Sequence, residues 1–396
     1  MQIREVYEKH PYPAANLTTV TKTRWRLAPM AWINALWKPG AKDQSLRKIL
    51  VAGCGTGSEA FEFRRCFPKA KIVAVDFSPR SIAIARHLQK CARPKRKMRF
   101  VVADLARRDL SKITGNGFDF VSCHGVLSYV PQPVKVLTNL KRLLKADGAL
   151  YLGVNGTEHF SVRGRLFLPA FGFDLAEPHE GPYLRNVLKL WEAILNEPGG
   201  TSFAKFPIGY LAGDLFGPLI HNLSLRDWTR LASTAGLHFQ SNCSSWRTLR
   251  SAMEKAQSRL IIPRSRSEVC QLLAIAAPER FHKLLFTRQA PTNPPWQNQE
   301  ELRRWRPTLT NLYVVHLPRR TSSQRTLRSV TFKSVAMNTR LDWKMPEWEV
   351  EILRRSNGRQ SLHEILGGIP HPVPSWLLRE QLYVLHQLLV IALLPG

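Results

Sequence analysis

The chain has 396 residues, more than one typical domain requires, and its 44% apolar and 22% charged residues exclude a disordered or low-complexity protein. Its net charge of +29 is uneven, with 28 Lys and Arg against 10 Asp and Glu in the first 150 residues. Six scattered cysteines without a Cys-x-x-Cys pair argue against a metal site or a disulfide framework. No apolar stretch reaches the roughly 20 residues of a membrane-spanning helix, and the N-terminus lacks the apolar run of a secretion signal, so a cytoplasmic setting is expected.

In chain order, the first strong element is Lys48-Ile49-Leu50-Val51-Ala52, a strand that runs into Gly53-Cys54-Gly55-Thr56-Gly57-Ser58. Glycines at alternate positions tolerate unusual dihedrals and let a ligand approach the backbone, and Ser58 opens a helix whose N-terminus favours electronegative groups. The second strand, Ala70 to Val75, ends in Asp76, followed by Phe77 and a Ser78-Pro79 helix start. A carboxylate at that place accepts hydrogen bonds from a ribose diol. The third strand, Met98 to Ala103, ends in Asp104-Leu105, where a carboxylate suits an adenine amino group. The fourth, Phe118 to Cys123, runs into His124-Gly125-Val126-Leu127-Ser128-Tyr129. A helix over Val134 to Leu144 and a fifth strand over Ala149 to Val154 follow. This alternation predicts an α/β fold with a mostly parallel sheet, and all of these polar signals fall at carboxyl ends of strands, where such sheets bind ligands.

The dinucleotide fingerprint does not fit, because its third glycine would stand at Ser58. The four segments around Gly53-Cys54-Gly55-Thr56-Gly57, Val75-Asp76-Phe77, Ala103-Asp104-Leu105 and Phe118 to Leu127 resemble, in order and spacing, a class I S-adenosylmethionine-dependent methyltransferase. The start, Tyr7-Glu8-Lys9-His10-Pro11-Tyr12-Pro13, is similar to the leader of a bacterial subgroup of that family. The resemblance implies a Rossmann-like, doubly wound seven-stranded sheet and S-adenosylmethionine as cofactor. It implies cofactor contacts from Gly53, Cys54, Gly55, Gly57, Asp76, Phe77, Ala103, Asp104, Leu105 and His124. It leaves the acceptor open, with a protein side chain or a small molecule favoured. Methyl transfer asks mainly for orientation. Where the acceptor must lose a proton, His124 or Tyr129 is placed to take it. Tyr7 and Tyr12 are expected in a lid over the cofactor, and Cys54 reads as a small filler.

The remaining chain is less regular. Residues 1–45 are expected as leader and lid, and residues 46–289 as the methyltransferase domain with a helical cap inserted at about 160–220. A helix near Tyr183 to Asn196 lies in that cap. A sixth strand is expected over Leu237 to Cys243, a helix over Ser265 to Ala276, and a seventh strand over Lys283 to Arg288 or else Asn311 to Leu317. Residues 290–330 read as a linker and 331–396 as a small winged-helix-like domain, with Leu377 to Leu393 at helical spacing and a protein partner as a second reading. The basic run from Arg86 to Arg99 could attract nucleic acid. No RNA-binding module accompanies it, so a solvated face is the simpler reading, with an RNA methyltransferase or a non-catalytic adapter as alternatives. Asn293-Pro294-Pro295-Trp296 is similar to a nucleobase-holding tetrapeptide of some methyltransferases but lies far downstream of the fourth strand, and reads as linker.

Overall fold

The computed structural model describes residues 3–22, 28–39, 46–176, 179–195, 205–206, 208–256, 265–319, 327–335, 340–369 and 373–396. The chain divides into two compact units, one taking in residues 1–28, 45–239 and 277–289, the other residues 29–44, 240–276 and 290–396. No described helix is long and apolar enough to cross a membrane.

A seven-stranded sheet organises the first unit. Its strands are β1 (Lys48–Ala52), β2 (Lys71–Asp76), β3 (Arg99–Val102), β4 (Phe118–His124), β5 (Leu144–Asn155), β6 (His238–Asn242) and β7 (Phe281–Thr287), in the order β3-β2-β1-β4-β5-β7-β6. β1 pairs in parallel with β2 on one side and with β4 on the other, so Ile49 faces Ile72 in one neighbour and Phe120 in the other. β7 runs antiparallel to β5. Ile49 to Ala52 and Ile72 to Val75 are all buried, as expected for parallel strands covered on both faces by helices. The strand order reverses at β1 and β4, and their carboxyl ends open the crevice at this switch point. The Rossmann-like expectation is met, and β7 is the first of the two segments proposed for the last strand.

One carboxylate fastens the opposite end of this sheet. Asp119 of β4 accepts from the backbone N–H groups of Arg47 (2.9 Å) and Lys48 (2.7 Å) and from the Lys145 ammonium at the start of β5. Partial burial works against its ionisation, but Lys145 and the two backbone donors outweigh burial and hold its carboxyl below the ordinary range.

The cap has its own core. Leu168, Leu184, Leu188, Trp191, Leu211 and Phe216 pack together, with Phe160 and Tyr210 against them. The helix Pro182–Leu195 supplies Leu184, Val187, Leu188 and Trp191 at helical spacing; Asn196, its expected last residue, lies outside the described residues. In the leader, the helices Ile3–Lys9 and Leu17–Thr21 are joined by a turn, and Asn16 and Thr19 form a reciprocal cap.

In the second unit, residues 290–330, expected as linker, carry a helix (Gln299–Arg304), β8 (Arg306–Leu309) and β9 (Tyr313–His316). β9, the alternative seventh strand, pairs with β10 (Arg328–Ser334), which pairs with β11 (Arg340–Met345), all antiparallel. Helices Glu347–Arg355, Leu362–Gly367 and Ser375–Gln387 follow. The final apolar run does not stay helical. Leu389 adopts a left-handed φ of 59°, and β12 (Ile391–Leu394) turns back to pair with β8. Periodicity alone does not separate a buried strand from a buried helix in so short an apolar run. Trp296 of the Asn-Pro-Pro-Trp segment packs on Tyr383 and His386, 5.1 and 5.5 Å between ring centroids.

Replacing Asp119 with Ala leaves two backbone donors at β1 without their charged acceptor. This is expected to cost roughly 1.5–3 kcal/mol, read as a lower urea midpoint at neutral pH. Because the folded-state value is depressed, Asp119's contribution is present above the ordinary aspartate value and is lost as pH falls through the depressed one. The gap between the two proteins is therefore expected to close in acid.

Candidate active site

The β1 turn makes the floor of the site. Gly53, Gly55 and Gly57 have φ of 71°, 52° and 96°, in the left-handed region that favours glycine. A Cβ on Gly53 would strike the Val126 side chain, and one on Gly55 would strike the Tyr12 carbonyl oxygen, so the leader and the β4 loop close directly on this turn. The N–H groups of Gly53 and Cys54 both donate to the Val75 carbonyl, at 2.8 and 2.9 Å. Ser58 begins the helix Ser58–Cys66, and its buried hydroxyl has no hydrogen-bond partner among the described residues.

Asp76, at the end of β2, is 7% exposed. One oxygen accepts from the Gly55 N–H at 2.8 Å and the other from the Ser78 N–H at 2.9 Å. Burial raises its pKa, against the backbone donors of Ser78, Gly55 and Phe77. A carboxylate offers about four acceptor sites, so capacity remains for hydroxyl donors. Asp104 is exposed, with one oxygen accepting from the Ala106 N–H at 2.8 Å. The leader covers this end. Thr56 donates from its N–H to the Tyr12 carbonyl (3.3 Å) and from its hydroxyl to the Pro13 carbonyl (2.5 Å), and Tyr7 meets Phe77 edge-on at 6.1 Å.

The other end lies beyond β4 and β5. His124 Nδ1 is 3.0 Å from the Tyr151 hydroxyl, and the two rings stack. Burial, helped by the Lys283 charge, pushes the His124 imidazole down to about 3, so it is neutral at physiological pH and a weak proton acceptor. Tyr129 donates to the Asp214 carboxylate and accepts from Asn155 Nδ2 at 3.3 Å. Burial raises Asp214 to about 7, although the Tyr129 hydroxyl favours its ionised form. Burial, then Asp214, lifts the Tyr12 phenol to about 12. His159, which caps the helix Phe160–Phe167, is held down at about 4 by burial and then by Arg280.

A single cavity of about 1240 Å³ joins the two ends. Of the residues singled out from sequence, Tyr7, Tyr12, Gly53, Cys54, Gly55, Asp76, Phe77, Ala103, Asp104, Leu105, His124 and Tyr129 line it, and Gly57 does not. Gly57 serves the fold: a Cβ there would press on Ala85 and Phe100, at 3.2 and 3.1 Å. The Cys54 thiol is buried and raised well above its ordinary value by burial and by Asp76, so it stays protonated. Sequence reasoning missed Ser58 as a wall residue, and also Asn155, His159, Tyr210, Asp214 and Lys283. Asn155, standing at the end of β5 before Gly156, could have been found by the same strand-end rule. Asp214 lies in the cap helix Ile208–Asp214, whose sequence carries no motif.

Residues 43–156 match the family model described as a methyltransferase domain. Over 151 residues, 38% of this chain, the sequence is 34% identical to an uncharacterised protein of Rickettsia prowazekii, covering 57% of that protein. Over 120 residues, 30% of this chain, it is 29% identical to malonyl-[acyl-carrier protein] O-methyltransferase of Halalkalibacterium halodurans, covering 43% of it. The chain thus spans about half the length of these curated relatives. Among solved structures, PKMT2 from Rickettsia typhi in complex with AdoHcy is similar over 98% of this chain and 78% of its own, with a TM-score of 0.54 at 15% identity, a likeness of fold. Residues 43–156 therefore match a methyltransferase domain, set in a fold that is shared with that solved structure.

Proposed function

We propose that the chain is a methyltransferase whose acceptor enters as a single side chain or a small molecule. The observation that carries this reading is the one cavity with two chemically distinct ends. Gly53, Gly55, Ser58, Asp76 and Asp104 line one end, and Tyr129, Asn155 and Asp214 line the other. Its volume of about 1240 Å³ exceeds the roughly 300–1,000 Å³ typical of a site for one small ligand, which suits a cofactor together with an acceptor. The basic run from Arg86 to Arg99 contributes nothing to the lining, so the site itself does not favour an RNA acceptor.

The residues present fit the cofactor. Asp76 keeps acceptor capacity for a ribose diol beyond its backbone partners. Ser58 Oγ, an unpartnered buried hydroxyl at a helix N-terminus, suits the carboxylate of a methionyl group. When bound, S-adenosylmethionine would supply a methyl carbon on a sulfonium sulfur, an electrophile for displacement by the acceptor's lone pair with the sulfur as leaving group. The chain's part is to orient the acceptor against that carbon and to exclude water. Tyr7, Tyr12 and Pro13 cover the cavity from the leader side, and Phe160, Phe206 and Tyr210 from the cap side. Where a proton must leave the acceptor, Asp214 and Tyr129 are better placed than His124, because they are joined by a hydrogen bond and Asp214 titrates near neutrality.

Calorimetry of the full chain with S-adenosylmethionine and S-adenosylhomocysteine tests the cofactor half; failure of both to bind would sink the proposal. A radiolabelled methyl-transfer assay on lysate sorted into protein, RNA and small molecules then reports the acceptor. Asp76→Ala is expected to weaken S-adenosylhomocysteine binding at least tenfold, since charge-assisted hydrogen bonds are lost. In the unaltered protein, affinity is expected to fall with acidification from a less acidic pH than for an exposed aspartate, because Asp76 is raised and its ionised form accepts the hydroxyls. Gly55→Ala combines a left-handed φ with a clash on the Tyr12 carbonyl. It is expected to displace the leader and weaken cofactor binding at least tenfold, with the loosening visible as faster proteolysis near Tyr12.

A further inference from the structure

The polar groups around Asp214 define what the acceptor end can hold. Tyr129 has one hydroxyl proton and gives it to Asp214. It must therefore accept from Asn155, which turns Nδ2 of that side chain towards Tyr129 (3.3 Å) and leaves Oδ1 pointing elsewhere. Asn155 is 0% exposed, and its Oδ1 has no hydrogen-bond partner among the described residues. Asp214 is 4% exposed; beyond Tyr129 no described group donates to it, and no described Lys or Arg pairs with it. A buried acceptor without a donor costs about 1–3 kcal/mol, and a buried unpaired carboxylate costs more. Both residues line the cavity, so the missing donors can arrive with a ligand.

The surrounding surface is aromatic. The Tyr210 ring lies 5.6 Å from that of Tyr12 and stacks on Phe160 at 5.7 Å, and all three line the same cavity. Aromatic faces attract a cation within about 6 Å of the ring centroid, most strongly where water is excluded. An anionic acceptor would meet the carboxylate and the amide oxygen with no donor to offer them. A hydroxyl would bring one proton for two acceptors.

We propose, resting on the methyltransferase reading above, that the acceptor is a primary amine that enters as its ammonium, donating to Asp214 and to Asn155 Oδ1 between the Tyr12, Tyr210 and Phe160 rings. Asp214 takes one ammonium proton as a carboxylate and becomes the neutral acid, which frees the nitrogen lone pair for the displacement already described. The nitrogen leaves bearing the methyl group and the positive charge, and Asp214 returns its proton to solvent. Its carboxyl, which titrates near neutrality, is matched to that exchange.

The test measures ligand binding to the full chain saturated with S-adenosylhomocysteine, using butylammonium, 1-butanol and butyrate as probes, by ligand-observed NMR at neutral pH. Saturable binding of butylammonium, at least tenfold tighter than either other probe, is expected. Asp214→Asn is expected to remove that preference while S-adenosylhomocysteine affinity stays within about twofold. Equal or tighter binding of butyrate or butanol overturns the amine assignment and leaves the methyltransferase reading standing; so does a failure of butylammonium to saturate. Loss of S-adenosylhomocysteine binding by the unaltered chain instead defeats the methyltransferase reading. If Asp214→Asn weakens S-adenosylmethionine but not butylammonium, the carboxyl serves the sulfonium and the proposal fails. The probe series on the unaltered chain decides the class even if the variant does not fold.

Discussion

The Asp76 carboxylate ties together the parts that build the cavity at the β1 turn. It sits at the end of β2, yet its oxygens are held by the backbone N–H groups of Gly55 in the β1 turn and Ser78 at the next helix start. One buried charge thereby sets the relative position of two strand ends and of two helix N-termini. Burial raises its pKa, so the backbone donors must be in place for the charge to persist. The Gly55 donor is in place because Gly55 adopts a left-handed φ and lacks the Cβ that would strike Tyr12. The same constraint carries outward, since Thr56 in that turn holds the Tyr12 and Pro13 carbonyls of the leader. Turn, Asp76 carboxylate and leader form one mechanical unit.

The end of the cavity beyond β4 and β5 is organised differently. Few of its polar groups belong to the turn; they are gathered from β4, β5, the leader and the cap. Tyr129 follows β4, Asn155 closes β5, and Asp214 comes from the cap helix Ile208–Asp214. The cap therefore does more than cover the cavity, because it contributes the carboxyl. Tyr7 is packed against the same helix: a Cβ on Gly213 would lie 2.5 Å from its hydroxyl oxygen, so the glycine admits the leader's tyrosine. The His124 imidazole, placed at a strand end as expected, is kept neutral by burial and occupied with Tyr151, whereas Tyr129 and Asp214 share a hydrogen bond and Asp214 titrates near neutrality.

Residues that depend on local geometry were legible from the sequence. Strand ends, glycine turns and helix starts have short signatures, and from them Asp76, Asp104, His124 and the mostly parallel character of the sheet could be read. The leader tyrosines were legible through their spacing with proline. Asp214 was not, because an isolated aspartate in a Phe-, Gly- and Pro-rich stretch carries no signal until folding brings Tyr129 beside it. The same holds for the last residues. Leu389 to Leu394 continue an apolar spacing that suits a helix, and only β8, some eighty residues earlier in the chain, makes a strand there preferable.

The sequence by itself determined the mostly parallel sheet, the glycine turn after β1 and the carboxylate that ends β2. These rest on dihedral permissiveness, alternation of elements and carboxylates at fixed spacing, all of them local or periodic properties. The tertiary structure alone decided which groups of β4, β5 and the cap line the cavity together. It left Asn155 Oδ1 and Asp214 as buried acceptors without cationic partners among the described residues, and it took basicity away from His124. Burial and unsatisfied hydrogen-bonding capacity belong to positions in space, and no run of residues encodes them on its own.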